Sequence, residues 1–133
     1  MAKIHAGISE LKAAHNRLAA ASGKGTGESG NLLLFYAAEC GLKCAYLRGN
    51  GLRTTEQLEN TNHDLNWLIK ALKLPATTLG GPPTLRLSRH NIEVCSHSDA
   101  HQAWRYGVRI ESADEEKFVD WLHSICQVVK ERL

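Results

Sequence analysis

The sequence predicts an all-α protein: a single-domain bundle of four to five helices. Two observations carry this prediction. Apolar residues recur at helical spacing in several segments, and stretches rich in glycine and proline separate these segments. The chain has 133 residues, which fits one domain and can bury one core of ordinary size. We therefore treat residues 1–133 as one helical domain.

Composition excludes several classes of protein. The hydrophobic fraction of 43% and the charged fraction of 23% are those of a globular protein. The net charge of +2 is too small to predict nucleic-acid binding by itself. The longest apolar run, residues 32–38, is too short to span a membrane. The beginning, MAKIHAGISE, lacks the apolar centre of a secretion signal, and the four cysteines contain no CxxC pair. We expect a cytoplasmic protein with reduced cysteines and no membrane contact.

The first helix is predicted over residues 3–21, where apolar positions follow a helical period among many alanines. The glycine-rich stretch SGKGTGESG follows, and it predicts a flexible loop over residues 22–30. The second helix is predicted over residues 31–48. It is apolar on nearly all sides, so we expect it to be the central and most buried element.

One acid and one base interrupt the apolar part of that second helix. Glu39 precedes Lys43 by four residues, and Tyr36 lies one turn before the acid. The pair could face a solvent slot, or the stripe could face a polar cleft or a partner subunit. A buried charge must be paired. We therefore predict that Glu39 is mostly buried and lies within salt-bridge reach of Lys43 or Arg105.

The third helix is predicted over residues 63–74, after a polar loop at residues 48–60. Asn62 is its predicted N-cap, and Pro75 follows its end as a stop signal. Residues 75–83 then form a predicted loop rich in glycine and proline.

The second half of the chain is less uniform. Between residues 84 and 100 the pattern fits a strand or a short helix equally well. Residues 98–107 predict a helix capped by Ser98 or Asp99. The last helix is the clearest, with Ser112 and Glu115 as a predicted capping box. Its apolar stripe consists of Phe118, Trp121, Leu122, Ile125, Val128 and Val129.

Two groups of polar residues are candidates for a binding or catalytic site. His63 and Asp64 stand at a helix start, where they could serve only the local turn, or where His63 could act as a general base or phosphate contact. Arg105 and Tyr106 follow Trp104, and an arginine flanked by aromatic residues can bind RNA or nucleotide phosphate. Alternatively, both aromatic residues anchor the core and Arg105 pairs with Glu39.

A metal site is the weakest candidate. His97, Asp99 and His101 alternate along the chain near Cys95, and on a strand such residues would share one face. On a helix they would not converge, and the sequence contains no closed pattern of four ligands. We predict no metal and no cofactor.

Three short motifs together resemble the HEPN domain family. They occur in the segments FYAAECGLKCAYL, TNHDLNWLIKAL and AWRYG, before a final amphipathic helix. The resemblance covers roughly residues 31–130. The matching positions are Ala37, Glu39, Leu42 and Lys43, then Thr61, His63 and Leu65, then Arg105 and Tyr106.

The resemblance implies both a fold and a function. HEPN domains are small helical bundles of prokaryotic toxin–antitoxin, nucleotidyltransferase-associated and anti-phage defence systems, and they commonly act as homodimers. It implies a binding and dimerisation module that contacts RNA or nucleotide and has a larger defence protein or a nucleotidyltransferase as partner. It also implies that Tyr36, Glu39, Lys43, His63 and Asp64 lie toward a groove between helices, with Arg105 and Tyr106.

One departure from the family bears on enzymatic activity. Ribonuclease members use an arginine followed, after about four to six residues, by a histidine. No arginine of this chain has a histidine at that spacing. The sequence therefore favours a non-catalytic module. A divergent ribonuclease that uses His63 with Arg53 or Arg105, and a purely structural helical subunit, are the alternatives.

Overall fold

A computed structural model describes residues 4–24, 27–61, 63–88 and 94–133. In these segments the chain is mostly helical, which confirms the predicted all-α class. The described segments contain six α-helices, more than the predicted four to five, because the predicted loop of residues 75–83 includes one helical turn, Ala76–Leu79. The elements are α1 (Ile8–Lys24), α2 (Gly27–Gly49), a 3-10 helix (Thr55–Thr61), α3 (Leu65–Ala71), α4 (Ala76–Leu79), β1 (Leu85–Arg86), β2 (Val94–Cys95), α5 (Ala100–Tyr106) and α6 (Ser112–Lys130).

The second helix, α2, lies at the centre of the bundle, as its composition predicts. It packs against α1, α3, α5 and α6. Its buried residues point in several directions, because a helix covered by four neighbours needs apolar side chains on most of its surface. Within the described segments, the main core comprises Leu34, Phe35, Leu42, Leu65, Leu68, Trp104, Phe118, Trp121, Leu122, Ile125 and Val129, together with smaller neighbours.

The boundary between α1 and α2 differs from the prediction. Residues 22–24 continue α1 and residues 27–30 already belong to α2, whereas the sequence predicts a loop over residues 22–30. Residues 25 and 26 lie outside the described segments. A glycine in a helix costs only about 1 kcal/mol, and the packing of α1 on α2 can offset that cost. Gly27 has a φ of 61°, a value that glycine adopts without steric cost.

The start of α3 also differs from the prediction. Asp64 is its N-cap, and the side chain of Asp64 accepts a hydrogen bond of 3.0 Å from the backbone N–H of Trp67. The predicted cap, Asn62, lies outside the described residues. His63 has a φ of 64°, which is incompatible with a helical residue, so α3 begins two residues later than predicted.

Pro75 ends one segment and begins the next. Its carbonyl oxygen accepts hydrogen bonds from the backbone N–H groups of Thr78 and Leu79, at 3.2 and 3.0 Å. These bonds close the single turn of α4 inside the predicted loop of residues 75–83. Proline is well suited to a helix start because its missing N–H would be unpaired there in any case.

Two short antiparallel strands occupy the ambiguous region. Leu85 pairs with Cys95, and Arg86 pairs with Val94. On its other side, β1 approaches the chain before α6, since the backbone N–H of Glu111 donates to the carbonyl of Arg86 at 2.8 Å. Residues 84–100 therefore contain strands, which is one of the two predicted possibilities, but each described strand is only two residues long.

The cap of α6 is not the predicted capping box. Glu111 is the N-cap, and its carboxylate accepts from the backbone N–H groups of Ala113 and Asp114 at 3.2 and 3.0 Å. Ser112 is the first residue of the helix and not its cap, and the carboxylate of Glu115 accepts from the indole N–H of Trp104 at 3.0 Å. A tertiary contact has replaced the local one.

Candidate functional site: a polar cleft on the central helix

One face of α2 carries the charged stripe. Tyr36, Glu39 and Lys43 follow one another at helical spacing, so their side chains leave α2 on the same side. Glu39 is only 6% exposed. Its Oε2 accepts from Nζ of Lys43 at 2.6 Å. The prediction that Glu39 is buried and paired is confirmed, with Lys43 as the partner.

His63 reaches the same carboxylate from the turn before α3. Its Nδ1 lies 2.8 Å from Oε1 of Glu39, while 44% of the His63 side chain remains exposed. The left-handed backbone of His63 is uncommon for a residue with a Cβ and costs free energy unless its surroundings hold it in place. The contact with Glu39 is one such restraint.

The turn that presents His63 has a second restraint. Nε2 of His97 lies 3.2 Å from Oδ1 of Asp64, the same oxygen that caps α3. The His97 ring also packs edge-on against Trp121 of the core, with ring centroids 5.6 Å apart. Asp64 thus ties the start of α3 to the turn before α5. The sequence leaves Asp64 either a role in the local turn at the helix start or a position toward a groove, and the structure gives it a tertiary partner, His97.

The carboxylate of Glu39 is held in its charged form. Burial alone would raise its pKa, but the hydrogen bond with His63 and the charge and hydrogen bond of Lys43 outweigh burial. The pKa of Glu39 is therefore lower than its usual value. A single buried acid serves two nitrogen groups, one on its own helix and one on the adjoining turn.

His101 of α5 adds a third element to this group of polar side chains, which we refer to as the cleft: Tyr36, Glu39, Lys43, His63, His101 and Arg105. Its ring is stacked on Phe35 with centroids 5.1 Å apart, and it lies 4.6 Å from the ring of His63. It is 3% exposed, and its Nδ1 has no hydrogen bond of ordinary geometry within the described residues. Burial, and next the charge of His63, lower the pKa of His101. The backbone of Ser98 acts in the opposite direction.

Arg105, one turn after His101 on α5, contacts the far end of the stripe. Its Nη2 donates a hydrogen bond to the hydroxyl oxygen of Tyr36. The Tyr36 ring in turn lies 6.0 Å from that of His101. Arg105 therefore joins the cleft through Tyr36, and the alternative that Arg105 pairs with Glu39 is wrong.

The aromatic neighbours of Arg105 have different environments. Trp104 is buried in the core at 3% exposure, as the anchoring interpretation predicts. Tyr106 is 71% exposed, so it is not a core anchor. The helical period explains the difference, since residues two positions apart on a helix point about 200° apart, to nearly opposite sides, and only one of them can face the core.

Arg53 is the one proposed site residue without a described link to the cleft. It is exposed in the loop that runs beside the start of α1, where Gly7 and Thr54 form an isolated bridge. Across the described residues, no contact joins Arg53 to His63, whereas ring contacts and one hydrogen bond connect His63, His101, Tyr36 and Arg105.

The residues considered for a metal site have other roles. His97 contacts Asp64, Asp99 accepts from the hydroxyl of Ser96 at 3.0 Å, and His101 packs on Phe35. Among the side chains that the structure describes, no three His, Cys, Asp or Glu groups come together as possible metal ligands. Sequence reasoning missed His101 as a cleft residue. The available signal was its spacing of four residues from Arg105, which places both on one face of α5.

Comparisons with known proteins add no identification. No family model, no curated protein and no solved structure matches this chain. Within the described segments, no helix combines the length and the apolar character that crossing a membrane requires.

Proposed function

We propose that the chain is a HEPN-like binding module whose polar cleft binds the phosphate groups of RNA or of a nucleotide. The observation that supports this proposal best is the convergence of three elements on one connected group of polar and aromatic side chains. α2 contributes Tyr36, Glu39 and Lys43, the turn before α3 contributes His63, and α5 contributes His101 and Arg105.

The charges of the cleft favour an anionic ligand at its Arg105 end. Glu39 compensates Lys43, whereas Arg105 has no carboxylate partner among the described residues and contacts tyrosine hydroxyls instead. A guanidinium group has five N–H donors, and most of those of Arg105 remain for a ligand. Arginine is well suited to phosphate because two of its donors can bind two oxygen atoms at once.

A second candidate function is RNA cleavage by His63 with Arg105. The contact between Glu39 and Nδ1 of His63 supports it, because a carboxylate that orients one ring nitrogen leaves the other available for proton transfer. Arg105 would then stabilise the charge that develops on the phosphate. The absence of the arginine–histidine spacing of the family's ribonucleases weighs against this candidate, so we expect no robust ribonuclease activity from this chain alone.

Binding and cleavage can be tested with the same variants. We expect a labelled single-stranded RNA to bind the wild-type protein, and to bind Arg105→Ala and His63→Ala more weakly. Arg17→Ala is the matched control, because it removes the same charge from an exposed position on α1, outside the cleft. If Arg17→Ala weakens RNA binding as much as the other two variants do, binding depends only on the net charge of the protein. If the wild-type protein does not bind RNA at all, a purely structural subunit is favoured.

The cleavage assay uses a mixed-sequence transcript incubated with purified protein over hours. We expect the transcript to remain intact. Cleavage that disappears in both His63→Ala and Arg105→Ala, while both variants stay folded by circular dichroism, would establish the ribonuclease instead.

We further propose that this module acts in the cytoplasm as a homodimer within a prokaryotic defence or toxin–antitoxin system, alongside a larger defence protein or a nucleotidyltransferase. The motifs around Glu39, His63 and Arg105 support this assignment. Affinity purification of the tagged chain from its native cells should recover such a partner, and Arg105→Ala would show whether the cleft takes part in the assembly.

A further inference from the structure

The polar stripe of α2 continues beyond the cleft to an aromatic pair. Tyr46 follows Lys43 by three residues, so it lies on the same face of α2 as Tyr36 and Glu39. Its ring contacts that of Trp67 on α3, with centroids 5.4 Å apart and ring planes at 52°. Ten residues separate Tyr36 from Tyr46, which corresponds to about 15 Å along the helix. The cleft and the aromatic pair are therefore two ends of one surface.

Trp67 differs from the other two tryptophans. Trp104 and Trp121 are 3% and 4% exposed, and their indole N–H groups donate to Glu115 and to the carbonyl of Gly80. Trp67 is 44% exposed, and its indole N–H has no acceptor within the described part of the chain. Core packing accounts for the two buried rings and leaves much of the Trp67 ring facing solvent.

We propose that Tyr46 and Trp67 form a base-stacking platform for a single-stranded nucleic acid whose phosphates contact the Arg105 end of the same stripe. The inference rests on the proposed function and adds a second contact region to it. Aromatic side chains stack on any base, because every base presents a flat π-face. Single strands can turn their bases outward onto such rings, whereas a duplex keeps its bases stacked internally.

The charged residues on the elements around the stripe are of both signs. Glu39 compensates Lys43, and Asp64 adds one negative charge. Arg105, Arg48 and Lys70 add positive charges on α5, α2 and α3. Phosphate groups can therefore be attracted along the stripe, while stacking adds an affinity that depends on the bases. Because Tyr36 and Tyr46 lie about 15 Å apart along α2, a ligand that reaches both ends of the stripe must be longer than one nucleotide.

The test compares two fluorescein-labelled strands by anisotropy. One is a single-stranded RNA of about eight nucleotides, within the size range of single-strand binding sites. The other has the same length and backbone but abasic residues. We expect Trp67→Leu to weaken RNA binding about tenfold and to leave binding of the abasic strand unchanged. Trp67→Phe should retain part of the RNA affinity, and Arg105→Ala should weaken binding of both strands.

Each other outcome has a definite meaning. If Trp67→Leu changes neither affinity while Arg105→Ala lowers both, the platform is overturned and the proposed function stands. If the wild-type protein binds neither strand, both the platform and the proposed function are wrong. Equal weakening of both strands by Trp67→Leu would also overturn the platform, because the effect would not depend on bases. Ile4→Ala, which removes an exposed apolar side chain outside α2 and α3, should change neither affinity.

Photo-crosslinking provides an independent measurement. RNA containing 4-thiouridine should crosslink to Tyr46 or Trp67 when the complex is irradiated, and mass spectrometry locates the modified residue. Crosslinks found only at other residues would contradict the platform. If Trp67→Leu instead leaves RNA binding intact and disrupts self-association, the exposed ring is a protein contact and the proposal is wrong.

Discussion

At the scale of single residues, Glu39 is the best example of how one side chain organises its surroundings. An acid inside an apolar helix must find partners, because an unpaired buried charge costs several kcal/mol. Glu39 finds one partner on its own helix and a second from the turn before α3. The same interaction that stabilises the acid also fixes the orientation of His63, so stability and the proposed function share one residue.

Removing the Glu39 carboxylate should destabilise the fold. Glu39→Ala leaves Lys43 without its partner and His63 without its restraint, and we expect a loss of about 2–4 kcal/mol. Urea denaturation measures this loss in the free energy of unfolding. Glu116→Ala, at an exposed position of α6, should cost less than about 0.5 kcal/mol. Similar losses in the two variants would mean that the Glu39 network contributes little to the free energy of unfolding.

The burial of His101 should make stability depend on pH. Its pKa is lower in the folded protein than in the unfolded chain, where it has the ordinary value of about 6.5. As pH falls below about 6.5, the unfolded chain takes up this proton more readily, so the free energy of unfolding decreases. His101→Phe keeps an aromatic ring against Phe35 and removes the proton. We expect the variant to lose less stability between about pH 7.5 and pH 5.5.

Urea denaturation at the two pH values tests this expectation. His123→Asn is the matched control, since His123 is an exposed histidine on α6. The control should retain the pH dependence of the wild-type protein. A His101→Phe variant with the same loss of stability as wild type would contradict the assigned role of burial.

At the scale of secondary-structure elements, helix ends and helix crossings depend on contacts that a local pattern does not reveal. Two serine- or asparagine-based caps were predicted, yet carboxylates cap both α3 and α6 in the described structure. Side-chain carboxylates can accept from the free N–H groups of a helix start as serine does.

The cap of α6 offers a matched pair of substitutions. Glu111→Ala removes the acceptor of two backbone N–H groups and should cost about 0.5–2 kcal/mol. Ser112→Ala removes the cap that the sequence predicts, and its cost should stay within about 0.5 kcal/mol because Ser112 is exposed. Chemical denaturation of both variants measures the two losses of stability and so shows which of the two residues caps α6. A larger loss in Ser112→Ala would restore the predicted capping box.

The crossing of α1, α2 and α6 depends on Gly41. A Cβ atom at this position would lie 2.8 Å from Nδ1 of His15 and 2.8 Å from Cγ2 of Val129. Gly41→Ala should therefore destabilise the protein by about 1–3 kcal/mol through overpacking. Gly23 lies in α1 with no atom close to its missing Cβ, so Gly23→Ala should be neutral or stabilising by up to about 1 kcal/mol. Thermal or urea denaturation that gave both substitutions the same sign would refute this account.

At the scale of the whole molecule, the bundle buries a continuous core around α2 and still leaves large apolar side chains in solvent. Tyr106 and Val94 are exposed by 71% and 61%. Single exposed apolar residues are common, so they do not by themselves identify an interface. Together with the HEPN-like motifs, they are compatible with the homodimer that we propose.

The dimer has a direct hydrodynamic test. We expect a symmetric dimer that buries more than about 1,000 Å² in total. Such an interface should persist at micromolar concentration, so sedimentation equilibrium should give twice the chain mass of 14.7 kDa. A monomer under these conditions would argue against the dimer. Binding of RNA by that monomer would leave the cleft proposal intact.

The amino-acid sequence by itself determined the helical class and the central position of α2, and it predicted that Glu39 is paired, with Lys43 and Arg105 as the two candidate partners. Each of these follows from local spacing: apolar residues every three or four positions, or an acid four residues before a base. It also identified Tyr36, His63 and Arg105 as candidates, because charged and aromatic residues at those positions are unusual for their segments.

Only the tertiary structure decided which candidates meet. His63 and Glu39, which are in contact, lie 24 positions apart in the sequence. Arg105 and Tyr36, which are also in contact, lie 69 positions apart. No periodicity within one helix specifies such contacts, since they depend on how α3 and α5 cross α2. For the same reason, the sequence did not predict the position of His101 or the residues that cap α3 and α6. A side chain's role there is set by neighbours that folding brings from elsewhere in the chain.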